Sequence, residues 1–100
     1  MEVNIIKQND ETVVSIVGRV DTVTAPELEK NIQQYLSETG ITLVFDCEKL
    51  EYVSSSGLRI FLTAHKQMIA KGGKFILRNM IPEVRSVIDL TGFSRILTIQ

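Results

Sequence analysis

Tyr52-Val53-Ser54-Ser55-Ser56-Gly57-Leu58-Arg59 is the stretch on which the fold turns. An apolar pair comes first, then three consecutive serines and a glycine. An amphipathic helix follows, with Leu58, Phe61, Leu62, His65 and Ile69 as its inward stripe. Ser54 or Ser55 suits the N-cap, where a side-chain oxygen accepts a hydrogen bond from an early helical N–H, worth about 1 kcal/mol. Gly72-Gly73 ends this helix. Upstream, Ile41 to Phe45 is a compact apolar run, too short for a helix, and reads as a buried strand with Asp46 at its C-terminal end. Downstream, Phe75 to Leu77 is another short strand. A helix between two such strands is a crossover unit, the element of a parallel sheet.

Working outward, Val3 to Lys7 and Thr12 to Val17 are β-branched segments with the turn pair Asn9-Asp10 between them. They predict a hairpin, with Gly18 ending its second strand. Thr24-Ala25-Pro26-Glu27 predicts a helix start: Thr24 and Glu27 have capping-box spacing and Pro26 fits the first turn. Leu28, Ile32, Tyr35 and Leu36 then recur at helical spacing until Gly40. Pro82 opens a last helix with Val84, Val87 and Ile88 inward, Gly92 stops it, and Ile96 to Ile99 reads as a final edge strand. The order β-β-α-β-α-β-α-β describes an α/β fold: a mixed, mostly parallel sheet with an N-terminal antiparallel hairpin. Ligand and partner surfaces of such sheets gather at the C-terminal strand ends. Here those ends lead into the loops Gly18–Thr24 and Asp46–Ser56.

The chain has 100 residues, which predicts one domain over 1–100. Apolar residues make up 44% and charged residues 23%, a globular balance that disfavours disorder. A formal net charge of −1 supplies no basic patch for nucleic acid. No apolar run approaches the roughly 20 residues of a membrane span, and Glu2, Lys7 and Asp10 argue against a signal peptide. With one cysteine, the expected location is cytoplasmic.

The three serines exceed what one cap needs. A phosphoserine at a helix start would meet free N–H donors and the positive end of the helix dipole. It would add about −1.5 to −2 charges to a nearly neutral surface. Capping and modification both fit the composition. A nucleophilic serine fits poorly, since G-x-S-x-G is absent and the one histidine, His65, lies about 13 Å from Ser56 by helical rise. His65 reads as a half-buried structural residue and Cys47 as a small half-buried one. Asp21, Asp46 and Glu48 have no phosphate-cradling glycine loop beside them, so Asp21 and Asp46 are expected to organise loop hydrogen bonds or meet a partner. No catalytic residue, metal or cofactor is predicted. Arg59, on the first turn, suits pairing with a phosphate or plain solvation.

Leu50-Glu51-Tyr52-Val53-Ser54-Ser55-Ser56-Gly57-Leu58-Arg59 resembles the phosphorylation motif of bacterial anti-sigma factor antagonists, the small STAS-domain proteins. Gly18-Arg19-Val20-Asp21 resembles the family's turn before the first helix, and Gly72-Gly73-Lys74 its Gly-Gly turn. Pro82-Glu83-Val84 with Thr91-Gly92-Phe93 resembles its closing helix. The resemblance implies the STAS fold, with about three to four helices. It also implies partner switching without catalysis. The unphosphorylated form binds an anti-sigma factor that is also a serine kinase, freeing the sigma factor. Phosphorylation of one serine releases the antagonist, and a PP2C-type phosphatase restores it. Carried onto this chain, the acceptor is Ser56, with Ser55 as fallback. The partner surface comprises Asp21, Thr22 and Thr24, then Ser54 to Ser56, Gly57, Leu58, Arg59 and Ile60, the last three on the exposed side of the helix. The chain is expected to be a monomer when free. Ser54 departs from the Asp that many members carry, which removes a negative charge beside the acceptor. The alternative is a non-phosphorylated STAS scaffold, or a regulatory subunit of a transport or stressosome-like assembly.

Overall fold

The computed structural model describes residues 1–100 and begins with the predicted hairpin. Strands β1 (Glu2–Gln8) and β2 (Glu11–Val20) pair antiparallel from Glu2↔Val17 to Gln8↔Glu11. Between them Asn9 and Asp10 take φ of 51° and 64°. Positive φ at both central residues is a type I′ turn, whose twist matches that of the strands and which Asn and Asp tolerate best after glycine.

The remaining elements are α1 (Ala25–Leu36), β3 (Thr42–Asp46), β4 (Leu50–Val53), α2 (Ser55–Ala70), β5 (Lys74–Arg78) and α3 (Pro82–Leu90). A 3-10 turn at Phe93–Arg95 and β6 (Thr98–Ile99) close the chain. The sheet order is β1-β2-β3-β5-β6, with β4 attached to β2 alone. Every pairing outside the hairpin is parallel. The fold is thus the mixed, mostly parallel α/β sheet with an antiparallel hairpin that the sequence predicts.

Strand alternation sorts the core. Val14, Ile16, Leu43, Phe45, Phe75 and Leu77 share one buried cluster with the inward residues of all three helices. Their opposite neighbours Val13, Val44 and Ile76 form a separate small cluster on the face that carries no helix. Phe45 anchors the larger cluster, edge-on to Phe61 at 5.4 Å and to Phe75 at 4.8 Å. Each such fully buried ring contributes about 1.5–3 kcal/mol relative to exposure. Gly73 lets α2 return to the sheet, because a Cβ there would lie 2.2 Å from the Ile41 carbonyl oxygen.

Five expectations about the elements are corrected. First, the span Asp46–Ser56 is not a single loop, since it contains β4. Second, Gly18 does not end β2: it takes φ +100° at a register shift, beyond which Arg19 and Val20 pair with Tyr52 and Val53. Third, the inward stripe of α2 is Leu58, Ile60, Phe61, Ala64 and Met68, whereas Ile69 is 55% exposed. Leu62 and His65 are half-buried at its margin. Fourth, Thr24 makes no side-chain cap to α1, because its hydroxyl is engaged in the preceding loop. The final strand is also shorter than the predicted Ile96–Ile99.

Candidate functional site

The parallel pairing of β2 with β4 builds the site. Val20 and Val53 are register partners, so the two strands end side by side. One runs into Asp21 and the other into Ser54, and the Ser54 N–H donates to the Val20 carbonyl at 2.8 Å. Two segments far apart in sequence therefore emerge together at the C-terminal ends of neighbouring strands, where α/β sheets present their binding surfaces.

The Asp21 side is a locked turn. Asp21 Oδ1 accepts from the N–H groups of Val23 and Thr24, each at 3.0 Å. Thr24 Oγ1 accepts from the Asp21 N–H at 2.9 Å and donates to the Arg19 carbonyl at 2.8 Å. The Thr24 N–H holds the Asp21 carboxyl below its ordinary range, helped by the Thr24 hydroxyl, the Val23 N–H and the Arg19 charge, against partial desolvation. Asp21 thus organises loop hydrogen bonds, as does Asp46, which accepts from the Glu48 N–H and from Asn79 Nδ2. The turn leaves Thr22 exposed and presents Val23 at 84% exposure.

The three serines separate by position. Ser54 has the extended backbone of an N-cap, with φ −90° and ψ 177°, and its Oγ accepts from the Gly57 N–H at 3.4 Å. Ser55 and Ser56 are the first residues of α2, Ser55 exposed and Ser56 half-buried. Neither hydroxyl is among the side-chain hydrogen bonds of the fold. Gly57 is buried, and a Cβ there would meet Val53 Cγ2 at 2.6 Å and Val20 Cγ1 at 2.8 Å. Its glycine lets the first turn of α2 lie directly on the two strand ends.

Two clefts flank this turn. One, about 200 Å³, is lined by Ser56, Arg59 and Ile60 of α2 against Thr22, Pro26 and Glu29. The other, about 270 Å³, is lined by Ser55, Leu58, Arg59 and Leu62 against Thr91 and Phe93. Leu58 and Ile60 are only 3% and 7% exposed, so they form the floors of the clefts and not the exposed helix side expected of them. Arg59 is exposed and belongs to both clefts.

Some residues at this end of the molecule escape the sequence reading. Arg19 stacks on the Tyr52 ring at 4.2 Å, a cross-strand contact that exists only because β4 pairs with β2. Val23 carried a signal, an apolar residue between two threonines in a turn. Glu29, Thr91 and Phe93 enter the clefts through tertiary packing alone.

Other reactive groups lie elsewhere. Cys47 is fully buried and not half-buried as expected, and desolvation together with the neighbouring Asp46 charge pushes its thiol up to about 12. The thiol stays protonated at neutral pH and is inert as a nucleophile. His65 Nδ1 is buried without a hydrogen-bond partner, on the helix bearing the serines but several turns beyond them. No group of three or more His, Cys, Asp and Glu side chains is placed to hold a metal ion. No helix is long and apolar enough to cross a membrane.

Comparison with known proteins gives a consistent picture. The family model described as STAS domain matches residues 2–100. The anti-sigma-B factor antagonist of Bacillus subtilis is 31% identical over 101 residues, covering 99% of this chain and 92% of the relative. The anti-sigma-B factor antagonist of Listeria monocytogenes is 26% identical over 94 residues, covering 94% of this chain and 82% of the relative. Among solved structures, an anti-sigma factor antagonist from Mycobacterium paratuberculosis superposes with a TM-score of 0.88 at 28% identity, covering 98% of this chain and 83% of the other.

Proposed function

The chain belongs to the STAS domain family, and from that premise we propose that it is an anti-sigma factor antagonist switched by phosphorylation of Ser56. In the unmodified state it binds an anti-sigma factor that is also a serine kinase, and the sigma factor is released. The kinase then forms a bond from Ser56 Oγ to the γ-phosphorus of ATP. The bond to ADP breaks, and the hydroxyl proton leaves to a kinase base or to solvent. A PP2C-type phosphatase transfers the phosphoryl group to water, yielding inorganic phosphate and the serine hydroxyl. The chain itself binds and releases, catalyses nothing, works in the cytoplasm and is a monomer when free.

One observation carries this reading. Ser54 alone makes the helix cap, which leaves the hydroxyls of Ser55 and Ser56 unbonded beside the Asp21 turn. The partner surface then comprises the turn at Asp21, Thr22 and Thr24, the segment Ser54–Gly57 and Arg59, with Leu58 and Ile60 as cleft floors. Phosphorylation places about −1.5 to −2 charges in the middle of that surface, on a helix start whose N–H groups accommodate the dianion. The fold is retained and the partner is repelled. Ser55 is the fallback acceptor, being the more exposed hydroxyl.

The deciding experiment is intact-mass analysis with fragmentation of the protein from its native cells, followed by pull-down with both forms. The expected result is a single phosphate on Ser54–Ser56 and capture of an anti-sigma kinase by the unmodified form only. Ser56→Ala is expected to stay bound in the presence of ATP, and Ser56→Asp to bind at least about tenfold more weakly. Absence of phosphate under all growth conditions, with a stable large homo-oligomer in size-exclusion chromatography, would favour the scaffold role instead.

A further inference from the structure

Arg59, the fifth residue of α2, opens its second turn without a counter-ion. The ion pairs of the protein are Lys7–Glu38, Glu11–Arg78 and Arg85–Asp89, and the Arg59 guanidinium takes part in no hydrogen bond. Its charge lies in the N-terminal half of the helix, where the dipole gives a cation no support. The other charged residue lining the Ser56 cleft is Glu29 of α1, which is not within ion-pair distance of Arg59. Ser56 precedes Arg59 by three residues, which puts their Cβ atoms about 5–6 Å apart on one helix face. A phosphate ester on Ser56 and the guanidinium fork of Arg59 span that gap and form charge-assisted hydrogen bonds. The buried Gly57, Leu58 and Ile60 pack this part of the helix onto the strand ends, which fixes the backbone spacing of Ser56 and Arg59.

We propose that Arg59 is the internal counter-ion of a phosphate on Ser56. This rests on the reading of Ser56 as the acceptor. It alters how the switch acts: modification adds an anion and also withdraws a cation from the same surface. In the unmodified protein the guanidinium is free to meet an acidic group of the partner. In the modified protein it is engaged by its own helix.

The test uses the full chain with phosphoserine genetically encoded at position 56, carrying Arg59, Arg59→Lys or Arg59→Gln. A phosphorus NMR titration reads the second ionisation of the phosphate, ordinarily near pKa ~6. Helix N–H groups and Glu29 act on the phosphate in all three proteins, so the differences isolate residue 59. Arg59→Gln is expected to raise this pKa by about 0.5 unit, with Arg59→Lys in between. The difference should shrink as salt rises from about 0.05 to about 0.5 M. The same pKa in the Arg59 and Arg59→Gln proteins would overturn the pairing. No kinase enters the measurement. Native protein lacking phosphate would remove the switch, whereas an unchanged pKa would remove the pairing and leave the switch standing.

Discussion

Ser54, Ser55 and Ser56 are chemically identical, and only backbone geometry gives them unlike roles. Ser54 sits in extended conformation and turns its oxygen onto the Gly57 N–H, while the next two serines are already helical, Ser55 exposed and Ser56 half-buried. The sequence narrows the cap to Ser54 or Ser55, and the end of β4 decides between them. Ser54→Ala should cost about 0.5–1 kcal/mol in urea-unfolding free energy, the lower part of the range for caps because the 3.4 Å bond is long. Ser55→Ala and Ser56→Ala should stay within about 0.5 kcal/mol of the unsubstituted protein. An equal loss at Ser56 would make it structural and undercut its role as a free acceptor. Gly57 is held by sterics, since a methyl group would press on Val53 and Val20 at under 3 Å. Gly57→Ala should cost about 1–3 kcal/mol by overpacking, read by the same unfolding assay.

At the scale of elements, β4 is both what the sequence conceals and what assembles the site. Leu50-Glu51-Tyr52-Val53 is four residues long, buried only at its ends, and follows a polar stretch. Local pattern alone reads it as loop. It becomes a strand because β2 continues through the Gly18 bulge and offers it a partner. Gly18 hides the continuation, since a glycine after a β-branched run ordinarily signals a stop. The hairpin, α1, β3, β5 and α3 are legible because their periodicity is strong over enough residues. The outward placement of Ile69 and inward placement of Ile60 are less so, as the stripe of α2 has apolar residues on both margins. The serine motif and Asp21 are legible individually, but their adjacency is a tertiary fact. Leu50→Ala tests it. Leu50 is fully buried, so truncation should cost about 2–5 kcal/mol. Hydrogen exchange should speed up most at the N–H groups of Gly18 and Ser54, which bond to Lys49 and Val20 across the β2–β4 junction. Uniform acceleration across the sheet would mean that β4 is not a separately fastened element.

For the whole molecule, three carboxylates are held below their ordinary range, and one of them, Glu11, ties distant elements together. Glu11, at the start of β2, takes bidentate hydrogen bonds from Arg78 at the end of β5, at 3.1 and 3.0 Å. Those bonds, with the Arg78 charge, lower the Glu11 carboxyl from 4.5 against partial desolvation. Asp21 is lowered first by the Thr24 N–H. Asp89 is lowered first by the Arg85 hydrogen bond. A carboxyl with a depressed folded pKa binds protons less readily than the unfolded chain does. Its contribution is therefore fully present above its unfolded pKa, near 4.5 for Glu11, and is lost as pH falls through the lower folded value. Stability should fall on acidification through this window. Glu11→Gln removes one of the three terms, so the stability gap between unsubstituted protein and variant should be open at about pH 7 and close toward about pH 2. Urea-unfolding free energies across that range read the gap. A gap of constant size would show that Glu11 acts through its shape and neutral hydrogen bonds alone. A closing gap would establish that the Glu11–Arg78 charge pair fastens β2 to β5 across the intervening β3, so that charge added at Ser56 is borne by a sheet held by contacts of its own.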